Sequence, residues 1–537
     1  MRVEEIEIID DIIINDLCKV VGNIFFNGPS RSGKTQALKT FIFILSRIID
    51  MSKRPNLVIS DPKGELSRDC TEMLTAQGYD VKIINYRLNE EGVMLDTASY
   101  NPLKYIYDSY KKQFDKIKPF LNMEKIKTAE YPIVEYWNQI KSKVDLISTQ
   151  FNQNEVIQEI TTFGMIFFPD ENNNPNLYFL QNARKLLHSL CYFLLENAIL
   201  ADDYRLFNFN SLFIYMQSYD FLCQQEFVIE ENGFEKTVKG SLYSLLCDQL
   251  PPTHFSRINI PRIKETKQYD TFLTEVAIKL DPFTTGARIM SATNNIDLTD
   301  FVYSDRPVAL FIIIPDYQDN YNFLVTTLVE QIFEICSKHT EYTIDQKLKR
   351  PLLMLIEEMA NIPAIPNFAN KTSICLSRNI YFLIILQSYN QLISLYDREQ
   401  ANTIMANMHH KIILSANTND EAEWLACEIG KTTKQRKNIN IDDDNSKVDI
   451  DFSEEYNYLM TPEEIRKLQF GECVHVIKGM NPIKGNFIPA YKYLHHLYKP
   501  ITVKEFFDKN DHLRIHTHIT DDDLLFENFL NPFGGEV

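Results

Sequence analysis

The sequence contains no apolar run of the roughly 18 to 20 residues that cross a bilayer. Its nearest approach, Asn182 to Leu200, is interrupted by Arg184, Lys185, His188, Glu196 and Asn197, and reads as a core helix. The N-terminal MRVEEIEIIDD is acidic where a leader peptide is basic, and it has no h-region. Neither a signal peptide nor a membrane anchor is expected, which places the protein in the cytoplasm. CxxC pairs and metal-like Cys/His spacings are also missing, so the nine cysteines, scattered from Cys18 to Cys473, are expected to be free thiols. Basic residues are in deficit, 55 Lys and Arg against 73 Asp and Glu, a formal net charge of −18. The average field therefore repels phosphate, and any nucleic acid must meet a local basic surface. Internal repeats are absent. With 45% apolar and 24% charged residues the composition is that of a folded globular protein, and 537 residues exceed what one core normally supports.

From Asn23 the order is an apolar strand (NIFF), a glycine-bounded loop, a helical pattern over Thr35 to Ile49, and a second strand, Asn56 to Ser60. That is the βαβ order of a parallel sheet. A third strand is expected over Val81 to Asn85, before Tyr100-Asn101-Pro102-Leu103 breaks the pattern. Between Tyr105 and Leu298 strand signals are scarce and apolar residues recur three and four apart, as in FLQNARKLLHSLCYFLLENA. Near-continuous apolar strands then return at Val308 to Pro315, Leu352 to Glu358, Ile380 to Leu386 and Lys411 to Ala416, the signature of a parallel sheet covered on both faces. Gly471 to Gly479 reads as a last strand, and the acid-rich stretch Asn438 to Asn457 as a loop or linker. The fold class is α/β. The expected division is residues 1–104 and 299–500 for two segments of one nucleotide-binding domain, 105–298 for an inserted all-α domain, and 501–537 for an acidic C-terminal tail.

Gly28-Pro29-Ser30-Arg31-Ser32-Gly33-Lys34-Thr35 matches G-x-x-x-x-G-K-[ST] between a strand and a helix. In such a loop the glycines turn backbone N–H groups toward phosphates, and Gly28, Ser30, Ser32, Gly33, Lys34 and Thr35 form the cradle. Lys34 is expected to reach the β- and γ-phosphates of ATP, and the Thr35 hydroxyl to ligate Mg2+. Leu352 to Glu358 is an apolar strand ending in two acids, the layout of a Walker B element. Glu357 is expected to hold Mg2+ and Glu358 to orient or deprotonate the attacking water; two solvated acids at a strand end are the plainer alternative. Gln387, closing the next strand, is a candidate γ-phosphate sensor or a simple strand-end cap. Arg378, just before that strand, is a candidate finger acting on a neighbouring subunit's nucleotide, or an ordinary surface arginine. Asp61-Pro62-Lys63-Gly64-Glu65 ends the second strand at the same sheet edge, where it lines the nucleotide site or a subunit interface, or forms a plain turn.

With these residues in order, the chain resembles the conjugative coupling proteins, the type IV secretion ATPases related to TraG and TraD. GPSRSGKT stands for the family's phosphate loop, SDPKGEL for its D-P-K-G-E element, YNPL for the segment before the helical domain, LIEEMANIPAIPNF for its L-D-E-F-A-N block and ILQSYNQL for its Q-S-x-x-Q-L block. NMHHKIILSANTNDEAEWLACEIGKTT resembles the family segment that ends in G-K-T-T. The resemblance implies a RecA-like P-loop nucleotide-binding domain with an inserted mostly α-helical domain. It also implies a DNA-dependent ATPase that is hexameric when active and recruits relaxase-bound single-stranded DNA. The implied partners are relaxosome proteins, a membrane-anchoring subunit that holds the protein at the inner face of the cell membrane, and the secretion channel ATPase. Two departures stand out: the family's first Walker B acid is Asp, whereas Glu357 extends its carboxylate by about one C–C bond, ~1.5 Å, and many relatives begin with transmembrane helices. A recruitment adaptor with little intrinsic hydrolysis is the alternative reading, and a chromosome-partitioning or packaging translocase a third.

Overall fold

The computed structural model describes residues 22–515, apart from 89–93, 95, 148–149, 170–176, 219–224, 232–233, 265–268, 285–286, 316–318 and 442–447. Its strands are β1 (Asn23–Asn27), β2 (Asn56–Ser60), β3 (Asp80–Asn85), β4 (Gln225–Glu231), β5 (Phe234–Gly240), β6 (Val308–Ile313), β7 (Leu352–Ile356), β8 (Ile380–Leu386), β9 (Met408–Ile413), β10 (Lys431–Ile441), β11 (Val448–Tyr458), β12 (Glu472–Ile477) and β13 (Ile483–Asn486). Nine of them form one sheet in the order β13-β12-β9-β1-β8-β7-β2-β6-β3. From β9 to β3 every pairing is parallel, and β12 and β13 close the other edge as an antiparallel pair.

Every residue of β1, β2, β6, β7 and β8 is buried, as expected of strands covered by helices on both faces. Two buried asparagines anchor the strand starts. Asn23 donates to the Thr372 carbonyl (3.0 Å) and accepts from the Phe382 N–H (2.9 Å), locking β1 to β8. Asn56 donates to the Phe301 carbonyl (2.8 Å) and accepts from the Val308 N–H (2.9 Å), locking β2 to β6.

The chain leaves the sheet at the helix Pro102–Ile117, whose first turn is capped by Asn101 accepting from the Leu103 N–H (3.0 Å). Helices then predominate until β6. The longest, Leu177–Ala201, carries the polar residues that break the apolar run, and Arg184, His188 and Glu196 among them are buried: the Glu196 carboxylate accepts from Tyr110 (2.7 Å) and Trp137 (3.1 Å) and lies 2.9 Å from His254 Nε2. A buried polar network of this kind belongs inside a protein core. Among the described residues no helix is long and apolar enough to cross a membrane.

Four local expectations change. The stretch taken as an acidic linker is an antiparallel ribbon, β10 with β11; its alternation, Asn438-Ile439-Asn440-Ile441 and Val448-Asp449-Ile450-Asp451, is the period of a strand, which the acid count obscures. The all-helical segment contains a second ribbon, β4 with β5. β9 starts at Met408 rather than Lys411, because His410 is buried with its Nδ1 3.1 Å from His475 Nε2 of β12. Residues 501–515, expected within an acidic tail, are packed: the helix Val503–Lys509 buries Phe506 and Phe507, and Arg514 pairs with Asp96 (3.1 Å) and Asp508 (2.6 Å). Residues 516–537 lie outside the described residues, as do Cys18 and Cys223; Cys70, Cys191, Cys336, Cys375, Cys427 and Cys473 are free thiols.

Candidate active site

The parallel strands bring their C-terminal ends to one edge, and the sequence places its polar residues there. Gly28 follows β1, Gln387 follows β8, Glu357 follows β7 and Asp61 follows β2. Since β8 lies between β1 and β7, Gln387 stands between the phosphate loop and the paired acids.

The loop from Gly28 to Gly33 leads into the helix Lys34–Ser46. A Cβ at Gly28 would fall 2.4 Å from Ser32 Oγ, so only glycine lets the loop close this tightly. Gly33 has φ +96°, in the left-handed region, and a Cβ there would also meet the rings of Phe470 (3.0 Å) and Phe487 (3.1 Å). Ser32 Oγ is buried without a hydrogen-bond partner, while Ser30 and Arg31 are exposed at the loop's tip. The Lys34 ammonium donates to the Gly28 carbonyl (2.5 Å), arching across the loop it follows. Burial lowers its pKa, and the carboxylates of Glu358 and Glu357 offset part of that effect.

The Thr35 hydroxyl donates to Glu357 Oε1 at 3.4 Å, joining residues 322 positions apart. Glu357 is 7% exposed, and its pKa is raised to about 8 by burial first and then by the charges of Asp61, Glu358 and Glu65. Glu358 has φ +54°, in the left-handed region, and accepts from Asn361 Nδ2 (2.9 Å). Asp61 is fully buried and accepts from the Leu66 (3.2 Å) and Ser67 (2.7 Å) N–H groups, capping the helix Glu65–Ala76; burial raises its pKa too. The DPKGE turn thus adds a buried acid beside Glu357. The charges of Asp61, Glu358 and Glu65 all disfavour ionised Glu357, and the charge of Lys63 opposes them.

These residues suit a nucleotide with a divalent cation. A glycine cradle that a Cβ would fill, an orphaned buried hydroxyl and a lysine at the loop's mouth fit phosphate oxygens. One hydroxyl and one carboxylate fit Mg2+, which takes few protein ligands and completes its shell with water and phosphate. Among the described residues no group of three or more His, Cys, Asp or Glu could hold a metal ion unaided.

Not every expected residue gathers here. Gln387 comes to the site, where its backbone N–H is held by Gln391 Oε1 (2.8 Å) within a Ser388/Gln391 capping box. Arg378 does not: it precedes β8, at the opposite end of the strand, donating to the Ile374 carbonyl (3.4 Å). A seven-residue strand puts it roughly 20 Å or more from its own chain's phosphate loop. Two contributions were missed in the sequence. Glu421, buried, accepts from Asn27 Nδ2 (3.1 Å) just ahead of the loop. The segment from Phe487 to Tyr493 grips the phosphate-loop helix, with Thr40 donating to the Ile488 carbonyl (2.9 Å), Tyr493 donating to Thr40 (2.9 Å) and the Tyr491 N–H donating to Gln36 (3.0 Å). No motif marks either contribution.

A family model described as type IV secretory system conjugative DNA transfer matches residues 17–199 and 262–518. Among solved structures the chain is similar to the bacterial conjugative coupling protein TrwBdeltaN70 in an unbound form, at 13% identity over 87% of this chain and 85% of that one, with a TM-score of 0.54. It is equally similar to plasmid coupling protein TrwB in complex with ADP and Mg2+, at 13% identity, the same coverage and a TM-score of 0.54. At such identity the likeness shows a shared fold. No curated protein matches the chain in sequence.

Proposed function

The chain belongs to the type IV secretory system conjugative DNA transfer family, and from that premise we propose that it is a coupling ATPase, which binds ATP with Mg2+ at the Gly28–Thr35 loop and uses hydrolysis to drive relaxase-bound single-stranded DNA toward the secretion channel. The observation that carries this reading is the Thr35 hydroxyl 3.4 Å from the Glu357 carboxylate, beside the Lys34 ammonium at the loop's mouth. Gly28, Ser30, Ser32 and Gly33 turn the loop around the phosphates, and Lys34 exchanges the Gly28 carbonyl for β- and γ-oxygens. Thr35 and Glu357 would hold Mg2+, whose charge offsets that of the phosphates. Glu358, held by Asn361, orients the attacking water and takes its proton. Gln387, between the loop and the acids, reads whether the γ-phosphate is present.

Arg378 sits at the far edge of its own sheet, the side from which a residue serves a neighbour's nucleotide rather than its own, and in a hexameric ring it would stabilise transition-state charge there. Residues 105–298 are assigned to docking the relaxosome. The protein works in the cytoplasm, held at the membrane by a separate anchoring subunit. A recruitment adaptor with little hydrolysis is favoured by one observation: Glu357 is buried beside Asp61 and Glu358, which pushes its pKa up and opposes the charged form that would hold Mg2+.

The deciding experiment measures ATP hydrolysis with and without single-stranded DNA at low salt, with Lys34→Ala as control. A Lys34-dependent rate that rises severalfold with DNA is expected. ATP binding without DNA-stimulated turnover, across salt and protein concentration, would select the adaptor.

A further inference from the structure

Resting on the nucleotide reading of the phosphate loop, we propose that Phe470 is the platform on which the nucleotide's base stacks, and that it accepts purines without reading their edges.

Sheet order sets the direction of the nucleotide. On one side of β1 lie β8 and β7, whose ends carry Gln387, Glu357 and Glu358, so the terminal phosphate belongs on that side. On the other side lie β9, β12 and β13. The nucleoside, at the far end of the phosphate chain, leaves toward the second group. Phe470 stands there, two residues ahead of β12, with its ring 3.0 Å from the position of a Gly33 Cβ. A large aromatic ring in contact with the phosphate loop is normally buried, yet Phe470 is 51% exposed. Behind it Phe487, buried, sits with its ring centroid 6.4 Å away at 55°.

The turn that carries the ring is itself tied down. It is closed by the Glu472 carboxylate accepting from the Gln469 N–H (2.8 Å) and by the Glu472 N–H donating to the Gln469 carbonyl (2.9 Å). The Phe487 N–H donates to the Gly471 carbonyl (2.8 Å), tying the turn to the end of β13. Tyr491, also 51% exposed, flanks the same first helical turn through its N–H on Gln36. A fixed, half-exposed aromatic face beside a phosphate site offers stacking, which every base satisfies through its π-face, and no hydrogen-bond donor or acceptor that distinguishes adenine from guanine.

The test compares the affinities of ADP, GDP and inorganic tripolyphosphate by calorimetry for the full chain and its Phe470→Ala, Phe470→Trp and Lys34→Ala variants. Loss of the stack in Phe470→Ala is expected to weaken ADP and GDP alike by about tenfold and leave tripolyphosphate unchanged. Phe470→Trp is expected to retain nucleotide affinity and to show fluorescence quenching by ADP but not by tripolyphosphate. Undiminished ADP affinity in Phe470→Ala, while Lys34→Ala abolishes binding, overturns the platform alone. Equal losses for ADP and tripolyphosphate assign Phe470 to shaping the loop and overturn it as well. ADP binding that ignores Lys34→Ala overturns the nucleotide reading itself, and the platform falls with it.

Discussion

Replacing Glu357 with glutamine removes a buried carboxyl whose pKa the fold raises from an ordinary 4.5 to about 8, through burial first and then repulsion from Asp61, Glu358 and Glu65. Between those two values the folded state binds more protons than the unfolded chain, so this group makes stability fall as pH rises from about 4.5 to about 8. At about 1.36 kcal/mol per pH unit, the interval sets a ceiling of about 5 kcal/mol. With ~2.1 cal/mol/K of unfolding entropy per residue, a 537-residue chain turns that ceiling into roughly 4 °C. The assay is thermal unfolding of the wild type and Glu357→Gln across this range, in EDTA and without nucleotide. Asp61, raised in the same direction, is coupled to Glu357, so the difference between the two proteins reports the titration of the pair. The two are expected to melt together near pH 5, with the glutamine variant gaining progressively toward pH 8. Parallel curves throughout would refute the claim that Glu357 is buried among like charges.

Gly28→Ala, whose Cβ would lie 2.4 Å from Ser32 Oγ, is expected to cost at least about tenfold in ATP affinity while leaving the melting temperature within a few degrees, read by calorimetry and thermal unfolding. The buried Lys39–Asp69 pair, 2.6 Å apart, predicts that Asp69→Leu alone costs about 3 kcal/mol by stranding the Lys39 ammonium, whose other carboxylate, Glu65, is 3.8 Å away, and that Lys39→Met with Asp69→Leu recovers much of the loss in urea unfolding. Leu383→Ala, at a fully buried position of β8, is expected to cost about 2 to 5 kcal/mol in the same assay, with adjoining β1 losing amide-exchange protection.

Strands buried on both faces were legible because their interiors take apolar residues, with buried polar side chains confined to the ends of β1 and β2. Asn56–Ser60 and Ile380–Leu386 have the bounds their sequences suggest. The phosphate loop was legible for a different reason: glycine at Gly28 and Gly33 answers to steric demands of the loop itself. Partly polar strands were harder. β9 opens with Met408-His409-His410, and only the partner His475, 65 residues on, makes His410 a core residue. β13, Ile483–Asn486, lies at the sheet's edge with no residue fully buried, so it leaves no periodic trace. At the site, Lys34, Thr35 and Glu357 were readable from motif spacing, whereas Phe470, Phe487 and Glu421 reach the loop only through the order of strands. Arg378, expected to act on a neighbouring subunit's nucleotide or to be an ordinary surface arginine, is separated from Gln387 by the whole length of β8.

β1 sits in the middle of the sheet, yet both strands that flank it come from the last third of the chain; its Asn23 bonds Phe382 across a sequence separation of 359 residues. During synthesis the first strand therefore waits, with both edges unpaired, until β8 and β9 have left the ribosome, and the grip of Ile488 and Tyr493 on the phosphate-loop helix comes later still. A nascent or truncated chain carries the whole phosphate-loop sequence without a finished pocket around it, so it should not trap nucleotide prematurely. The same order makes the unfinished chain a client for chaperones that shield open strand edges.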